Sequence, residues 1–192
     1  GIGRIYIYNY QNGQLAPIYH YSINSYFEEN NQGTLPTGFG SSMVYDNETQ
    51  TVIAGAPLTS NVNYGGIYST DINDGLVKIS YINPALISAT PLTVYKNPSP
   101  ASNSYFGKGL FVSKTTSTAV ANKLMLVGAP GYSSGSGIVY VNSVSFTTST
   151  AAITLIQTIT APTPTNGDEF GYSIAGNADG SIISIASPGG NS

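Results

Sequence analysis

The feature of this sequence that most constrains its fold is a pair of short motifs that recurs three times in the same order. Each copy begins with Phe-Gly and continues to an aliphatic run that ends in Gly-Ala-Pro or a variant of it. The motif positions are Phe39, Gly40, Gly55, Ala56 and Pro57, then Phe106, Gly107, Gly128, Ala129 and Pro130, then Phe170, Gly171 and Pro188. Such recurrence with loops of variable length is typical of a chain in which one supersecondary unit stacks on its neighbours.

The composition of the chain favours β-strands separated by turns. It contains 15 Tyr, 22 Gly and 11 Pro, residues that are enriched in strands and in the turns between them. Charged residues make up only 8%, against roughly 25% in an ordinary soluble domain. The sequence therefore predicts an all-β fold with a polar surface made of Ser, Thr, Asn, Gln and Tyr.

Each repeat is predicted to form four strands. In the second repeat they are expected at about 106–113, 123–129, 137–146 and 152–160. The phenylalanine of each Phe-Gly pair is expected to be buried between neighbouring repeats, where it would contribute roughly 1.5–3 kcal/mol. No helix is expected within 39–68 or 106–140.

The first repeat is harder to divide into strands. Gly65-Gly66-Ile67-Tyr68 aligns with the start of the third strand of the second repeat, and Asn73-Asp74-Gly75 is a good hairpin turn joining about 66–72 to 76–82. Two segments, 76–82 and 92–96, then compete to be the outer strand. We favour 92–96 because of its distance from Phe106. At the N-terminus, Gly3 to Tyr8 aligns with the third strand of another copy.

These motifs resemble the FG-GAP repeat, which forms the β-propeller blades of integrin α-subunit heads and of many other surface proteins. The resemblance covers nearly the whole chain, and Ala186-Ser187-Pro188 is a degenerate second motif. It implies a segment of four-stranded antiparallel blades, with the end of a blade at 1–38, blades at 39–105 and 106–169, and the start of a blade at 170–192. Because propellers usually close with four to eight blades, we expect the chain to be part of a larger propeller.

The resemblance also implies a function. It predicts a non-catalytic extracellular or cell-surface module for adhesion or structural assembly, which would contact protein or glycan partners through its blade loops and would pack against the remainder of its own propeller. Three alternatives stay open: a subunit of an extracellular filament or appendage, an accessory propeller of a secreted enzyme, and a glycan-binding lectin.

The charge pattern excludes several classes of partner. The chain has six basic residues and a net charge of −3, and no run of Lys or Arg could follow a phosphate backbone. Nucleic acid is therefore not expected as a partner. No apolar run approaches the roughly 20 residues of a membrane span, so no membrane insertion is expected in this segment.

No metal or cofactor site is predicted. Many FG-GAP repeats carry an Asp-x-Asp-x-Asp-Gly calcium loop between their first and second strands, and calcium needs six to eight oxygen ligands. The corresponding connections here, at 45–50, 114–118 and 176–180, lack that spacing. They are interpreted as plain hairpin turns.

No catalytic residue is predicted either. Gly131-Tyr132-Ser133-Ser134-Gly135 matches the nucleophile elbow, but that motif needs a following helix and a strand is expected instead. The one histidine, His20, is interpreted as a strand-surface residue. The carboxylate pairs Glu28-Glu29 and Asp168-Glu169 precede Phe-Gly pairs and are expected to be solvated loop charges.

One modification site is predicted. Asn47-Glu48-Thr49 is an N-glycosylation sequence, and it is expected at the tip of a hairpin, which is the exposed context that the modification requires. Asn47 is therefore a candidate glycan attachment site in a eukaryotic secretory route.

Overall fold

The regular secondary structure of the described residues is almost entirely antiparallel β-strand. A computed structural model of the chain describes residues 5–6, 8–11, 14–17, 38–59, 75–83, 88–114 and 122–190. Its strands are β1 (Tyr8–Gln11), β2 (Gln14–Pro17), β3 (Met43–Asp46), β4 (Thr51–Ala56), β5 (Leu76–Asn83), β6 (Ser88–Lys96), β7 (Gly109–Val112), β8 (Lys123–Ala129), β9 (Ile138–Phe146), β10 (Ala151–Ile159), β11 (Ile174–Gly176) and β12 (Ile183–Ile185). The predicted all-β class is confirmed.

The strands form two four-stranded sheets and two hairpins. The first sheet has the order β3-β4-β5-β6, and the second sheet has the order β7-β8-β9-β10. β1 and β2 form an N-terminal hairpin, and β11 and β12 form a C-terminal hairpin. Every neighbouring pair is antiparallel and consecutive in the chain, so each four-stranded sheet is a simple meander.

The strands of the second repeat lie close to their predicted positions. The first strand differs most, because β7 begins only at Gly109 and ends at Val112. Phe106 instead forms an isolated parallel bridge with Gly75 of the first sheet, and Phe170 forms the same bridge with Gly137 of the second sheet. The Phe-Gly pair therefore links one repeat to the repeat before it.

The third strand of the first repeat was wrongly assigned to 66–72. The position beside β4 is taken by β5, in which Leu76 pairs with Ala56 as Ile138 of β9 pairs with Ala129. The counterpart of Gly137 is Gly75, since both have positive φ (80° and 87°) and both form the parallel bridge to a phenylalanine. Residues 60–74, including the motif at 65–68, lie outside the described residues.

The other predictions for the ends of the sheets have mixed outcomes. The choice of 92–96 for the outer strand is confirmed, with the strand beginning earlier, at Ser88. At the N-terminus, β1 begins only at Tyr8, while Ile5 and Tyr6 lie outside any strand. Residues 3, 4 and 7, which belong to the same predicted strand, lie outside the described residues.

The expectation that 106–140 contains no helix is wrong at one short turn. Residues Tyr132–Gly135, labelled α1, form a helical turn between β8 and β9. Ser133 and Ser134 have positive φ there (51° and 59°), so the segment is not a regular right-handed helix. It is a compact loop, and β9 follows it directly.

The largest apolar core lies between the first and second sheets. The side chain of Phe106 is 0% exposed and makes edge-to-face ring contacts with Tyr95 at 5.4 Å and with Tyr140 at 5.5 Å. Ile53 and Val77 of the first sheet belong to the same cluster. Because residues of both sheets share this core, the two sheets stabilise each other.

Phe170 and Phe39 are also buried, in two further clusters. Phe170 packs with Leu126 and Val139 of the second sheet, and Phe39 packs with Val52 and Ala56 of the first sheet. Each phenylalanine of the repeated motif therefore lies in an apolar core.

Glycines allow the backbones of neighbouring repeats to meet without side chains between them. A Cβ atom at Gly55 would overlap the carbonyl oxygen of Gly107, and one at Gly128 would overlap that of Gly171. The residue of the third repeat that corresponds to Gly55 and Gly128 is Ala186. Its N–H donates to the carbonyl of Ser173, as the N–H of Gly55 donates to the carbonyl of Ser42. Ala186 is exposed, and it carries the Cβ that the other two positions exclude.

We expect Gly128→Ala to destabilise the protein by at least about 2 kcal/mol, because the added methyl group must displace the backbone of Gly171. Urea denaturation measures this as a lower midpoint with an unchanged m-value. The matched control is Ala186→Gly, which exchanges the same pair of residue types in the opposite direction at a position that the described residues leave exposed. It should cost about 0.5–1 kcal/mol through backbone entropy alone. Equal effects of the two substitutions would contradict the inferred contact.

Candidate functional site

A groove runs across the first strands of three successive repeats. It has a volume of about 330 Å³. Three residues from each repeat line it, namely Ser41, Ser42 and Met43, then Lys108, Gly109 and Leu110, then Tyr172, Ser173 and Ile174. These are in each case the three residues that directly follow Phe-Gly, so the groove is built from equivalent positions.

The turn at each Phe-Gly pair brings these residues into the groove. The N–H groups of Ser41, Lys108 and Tyr172 each donate to the carbonyl three residues earlier, at 3.0, 3.1 and 3.1 Å. The glycine before each of them has a φ between 84° and 91°, as the third position of a type II turn requires. The same local turn therefore presents the same three positions in every repeat.

The groove combines one cation with a ring, hydroxyl groups and apolar side chains. Lys108 Nζ lies 4.8 Å from the ring centroid of Tyr172, within the range of a cation–π contact. Ser41 and Ser173 are exposed, and Met43 is 53% exposed. Within the described part of the chain, no carboxylate lies at ion-pair distance from Lys108. The groove can therefore offer a positive charge to a ligand.

A second charged cluster joins the first two repeats around a buried lysine. Lys123 Nζ lies 2.7 Å from Asp46 Oδ1 and 2.5 Å from Glu48 Oε2. The side chain of Lys123 is 1% exposed, and Asp46 also accepts hydrogen bonds from the Thr49 hydroxyl and the Glu48 N–H. This cluster stabilises the contact between β3 and β8; Lys123 and Asp46 are enclosed in it, whereas the Glu48 side chain is 40% exposed.

A hydrogen bond between Tyr95 and Asn142 also joins the first and second sheets. The Tyr95 hydroxyl donates to Asn142 Oδ1 at 2.6 Å, and the amide nitrogen of Asn142 donates to the carbonyls of Met125 and Tyr140. Burial and, to a smaller extent, the nearby Tyr140 together raise the pKa of Tyr95 to about 12. The phenol is therefore neutral well above its ordinary range.

The motif residues named from the sequence are structural. Gly40, Gly107 and Gly171 form the turns, while Gly55 and Gly128 form the contacts between repeats. The small residues beside them, Ala56 and Ala129, are buried, as are Pro57 and Pro130, whereas Pro188 is exposed. Asn47 lies exposed in the turn between β3 and β4.

The sequence prediction for Asp168 is wrong. It was expected to be a solvated loop charge, but the residue is buried. Its carboxylate accepts hydrogen bonds from the hydroxyl and the N–H of Thr165, and these bonds lower the pKa of Asp168. The carboxylate is a structural element of the loop that precedes Phe170.

The other residues weighed for catalysis do not form a site among the described residues. The segment Gly131 to Gly135 is the loop that contains α1, and Ser133 there is exposed. His20 and the pair Glu28-Glu29 lie outside the described residues. Nothing in the described structure brings a base to Ser133.

In two of the three turns considered for calcium the carboxylate oxygens already have protein partners, and residues 115–118 of the third turn lie outside the described residues. In the turn after β3, Asp46 and Glu48 are bound by Lys123. In the turn after β11, Asp179 accepts bonds from the N–H and hydroxyl of Ser181, which lower the pKa of Asp179. Across the residues that the structure describes, no three histidine, cysteine or carboxylate side chains gather as ligands of one metal ion.

No helix in the described ranges has the length and apolar character that a membrane crossing requires.

Sequence reasoning did not find the groove or the buried ion cluster. A signal for the groove exists, because Ser41, Lys108 and Tyr172 occupy the same position after Phe-Gly and differ sharply in chemistry. No local pattern links Lys123 to Asp46, since their contact depends on how the repeats stack.

No protein-family model matches the chain, and no curated protein matches it.

We expect Lys123→Met to destabilise the protein by about 3–5 kcal/mol, because it leaves a buried carboxylate without its cation. Chemical denaturation of the purified chain measures the change. Lys114→Met, at an exposed lysine, is the matched control and should stay within about 0.5 kcal/mol of the parent. Adding Asp46→Asn to Lys123→Met should recover part of the loss, and strictly additive effects would show that the two side chains are not coupled.

We expect Tyr95→Phe to cost about 1–3 kcal/mol at neutral pH, because Asn142 Oδ1 is left buried without its donor. The pH dependence should change as well. The Tyr95 phenol ionises near pH 10 in the unfolded chain and at about 12 in the folded protein, so its contribution to stability is lost as pH rises through that window.

Urea midpoints measured from pH 9 to pH 12 check both effects. The parent should lose stability more steeply than Tyr95→Phe across the alkaline window. Tyr172→Phe, which removes an exposed phenol, is the control at neutral pH. Parallel alkaline curves for the parent and Tyr95→Phe would argue against the buried, neutral phenol.

Proposed function

We propose that this chain is a segment of a β-propeller with FG-GAP-type blades and that it serves as a non-catalytic extracellular module for adhesion or structural assembly. One observation carries the proposal: the contact between successive repeats recurs with the same atoms. Gly55 meets Gly107 as Gly128 meets Gly171. Units related repeatedly by one contact follow one rotation, which is how blades surround a propeller axis.

A recurring bulge in the outer strand supports the same proposal. The ladder of β5 and β6 shifts its register at Leu92, and the ladder of β9 and β10 shifts at Ile156. Leu92 packs against the core between the two sheets, whereas its counterpart Ile156 is 55% exposed. A further blade beside the second sheet would cover Ile156 as the second sheet covers Leu92.

The surface of the described residues supports an extracellular location. Asn47 lies exposed at a turn, which is the context that attachment of a glycan requires. Charged residues are scarce throughout the sequence, so the surface is rich in neutral hydrogen-bonding groups. Such a surface suits contact with protein or glycan partners.

Three of the described carboxylates support a structural role over a catalytic one. Asp46 is bound to Lys123, Asp168 to Thr165, and Asp179 to Ser181. The lowered pKa values of Asp168 and Asp179 keep these two groups ionised at neutral pH, where they cannot serve as general acids. Their bonds stabilise turns and the contacts between repeats.

An adhesion assay tests the proposal. Beads coated with the chain are passed over cultured epithelial cells and over bacterial cells, with beads that carry Gly128→Ala as the control for intact repeat packing. We expect several-fold more retention of the parent beads. Treating the cells with glycosidases or with proteases then identifies whether a glycan or a protein is bound.

Sedimentation velocity on the same preparation tests the assembly part of the proposal. Concentration-dependent growth into large particles would favour a filament or appendage subunit. Parent beads that are retained no better than control beads, together with a chain that stays monomeric, would refute both adhesion and assembly.

A further inference from the structure

We propose that the groove binds the carboxylate of an acidic side chain, Asp or Glu, presented by a partner polypeptide, and that Lys108 is the residue that binds it. This inference rests on the proposed binding role and names the chemistry of the partner. Charge complementarity supports it, because the groove holds a cation with no carboxylate of the described residues at ion-pair distance.

Lys108 and Lys123 differ in their surroundings. Both lysines lie where two repeats meet, but Lys123 is enclosed and its ammonium contacts Asp46 and Glu48. Lys108 is half-buried and lines the open groove. Among the described residues, carboxylates therefore neutralise Lys123 but not Lys108, which faces the open groove.

Tyr172 positions the ammonium group and also restricts the ligand. Lys108 Nζ lies over the Tyr172 ring at 4.8 Å from its centroid, and this contact limits where the flexible lysine side chain points. An aromatic face is otherwise a stacking surface for a sugar, but here the lysine covers it. The arrangement thus favours a carboxylate over a glycan in this groove.

The remaining lining residues fit a short acidic side chain. The exposed hydroxyls of Ser41 and Ser173 can donate to a carboxylate, and such bonds to a charged acceptor are stronger than neutral ones. Met43 offers an apolar surface to the methylene groups of the ligand. The volume of about 330 Å³ lies at the small end of ligand pockets, which suits one side chain.

The two methionines provide a direct assay. Met43 lines the groove and Met125 is fully buried in the core, so a chain labelled with ¹³C at its methionine methyl groups gives one reporter signal and one internal control. The probe is the capped tripeptide acetyl-Gly-Glu-Gly-amide. We expect it to shift the Met43 signal saturably, to leave the Met125 signal in place, and to bind more weakly as salt is added.

Controls define the chemistry. The corresponding tripeptide with Gln in place of Glu should give no saturable shift. Lys108→Gln should weaken binding of the Glu peptide by about tenfold or more, while Lys114→Gln, at an exposed lysine outside the groove, should leave it unchanged. Glutarate and glucuronate are tested beside the peptide, and tighter binding of either free acid would overturn the assignment to a polypeptide.

A stationary Met43 signal with the Glu peptide, or an equal shift in Lys108→Gln, would overturn the inference. These outcomes are separable from the adhesion assay. Beads that adhere equally well with Lys108→Gln, together with a stationary Met43 signal, would leave the adhesion role intact and refute the groove. A saturable, Lys108-dependent shift without bead adhesion would support the groove and refute the adhesion role.

Discussion

The rest of the structure depends on the direct approach of one backbone to another where two repeats meet. At Gly55 and Gly128 the carbonyl oxygen of the next repeat occupies the space in which any other residue would carry a Cβ. That approach brings Phe106 and Phe170 into parallel bridges with the preceding sheet and so buries their rings. The apolar core between the sheets and the alignment of the first strands both depend on this close approach of the two backbones.

The polar groups between the repeats divide into two kinds because of the same stacking. Lys123 and Asn142 lie where the sheets press together, so each is surrounded by partners and serves stability. Lys108 lies where the first strands line an open groove, and its partner within the described residues is the face of a ring. A lysine at the enclosed contact therefore stabilises the fold, whereas a lysine in the open groove is accessible to a ligand.

The second repeat was predictable almost residue by residue, because alternating apolar strands and Gly or Pro boundaries are local signals. The third strand of the first repeat was not, since Gly65-Gly66-Ile67-Tyr68 imitates the local pattern while Gly75 makes the tertiary bridge. Burial of Asp168 depends on a turn that brings it to Thr165. The groove could not be predicted because it forms only where three repeats lie side by side. Its lining residues can nevertheless be found in the sequence, since they follow the Phe-Gly pair in each repeat.

The alanine at position 186 limits how closely another backbone can approach the C-terminal hairpin. Its methyl group takes the position that a carbonyl oxygen of the next repeat occupies at Gly55 and Gly128. A backbone that packs against the C-terminal hairpin must therefore lie farther from Ala186, by about the radius of a methyl group. The close backbone contact made at Gly55 and Gly128 therefore cannot form at Ala186 unless one of the two backbones is displaced.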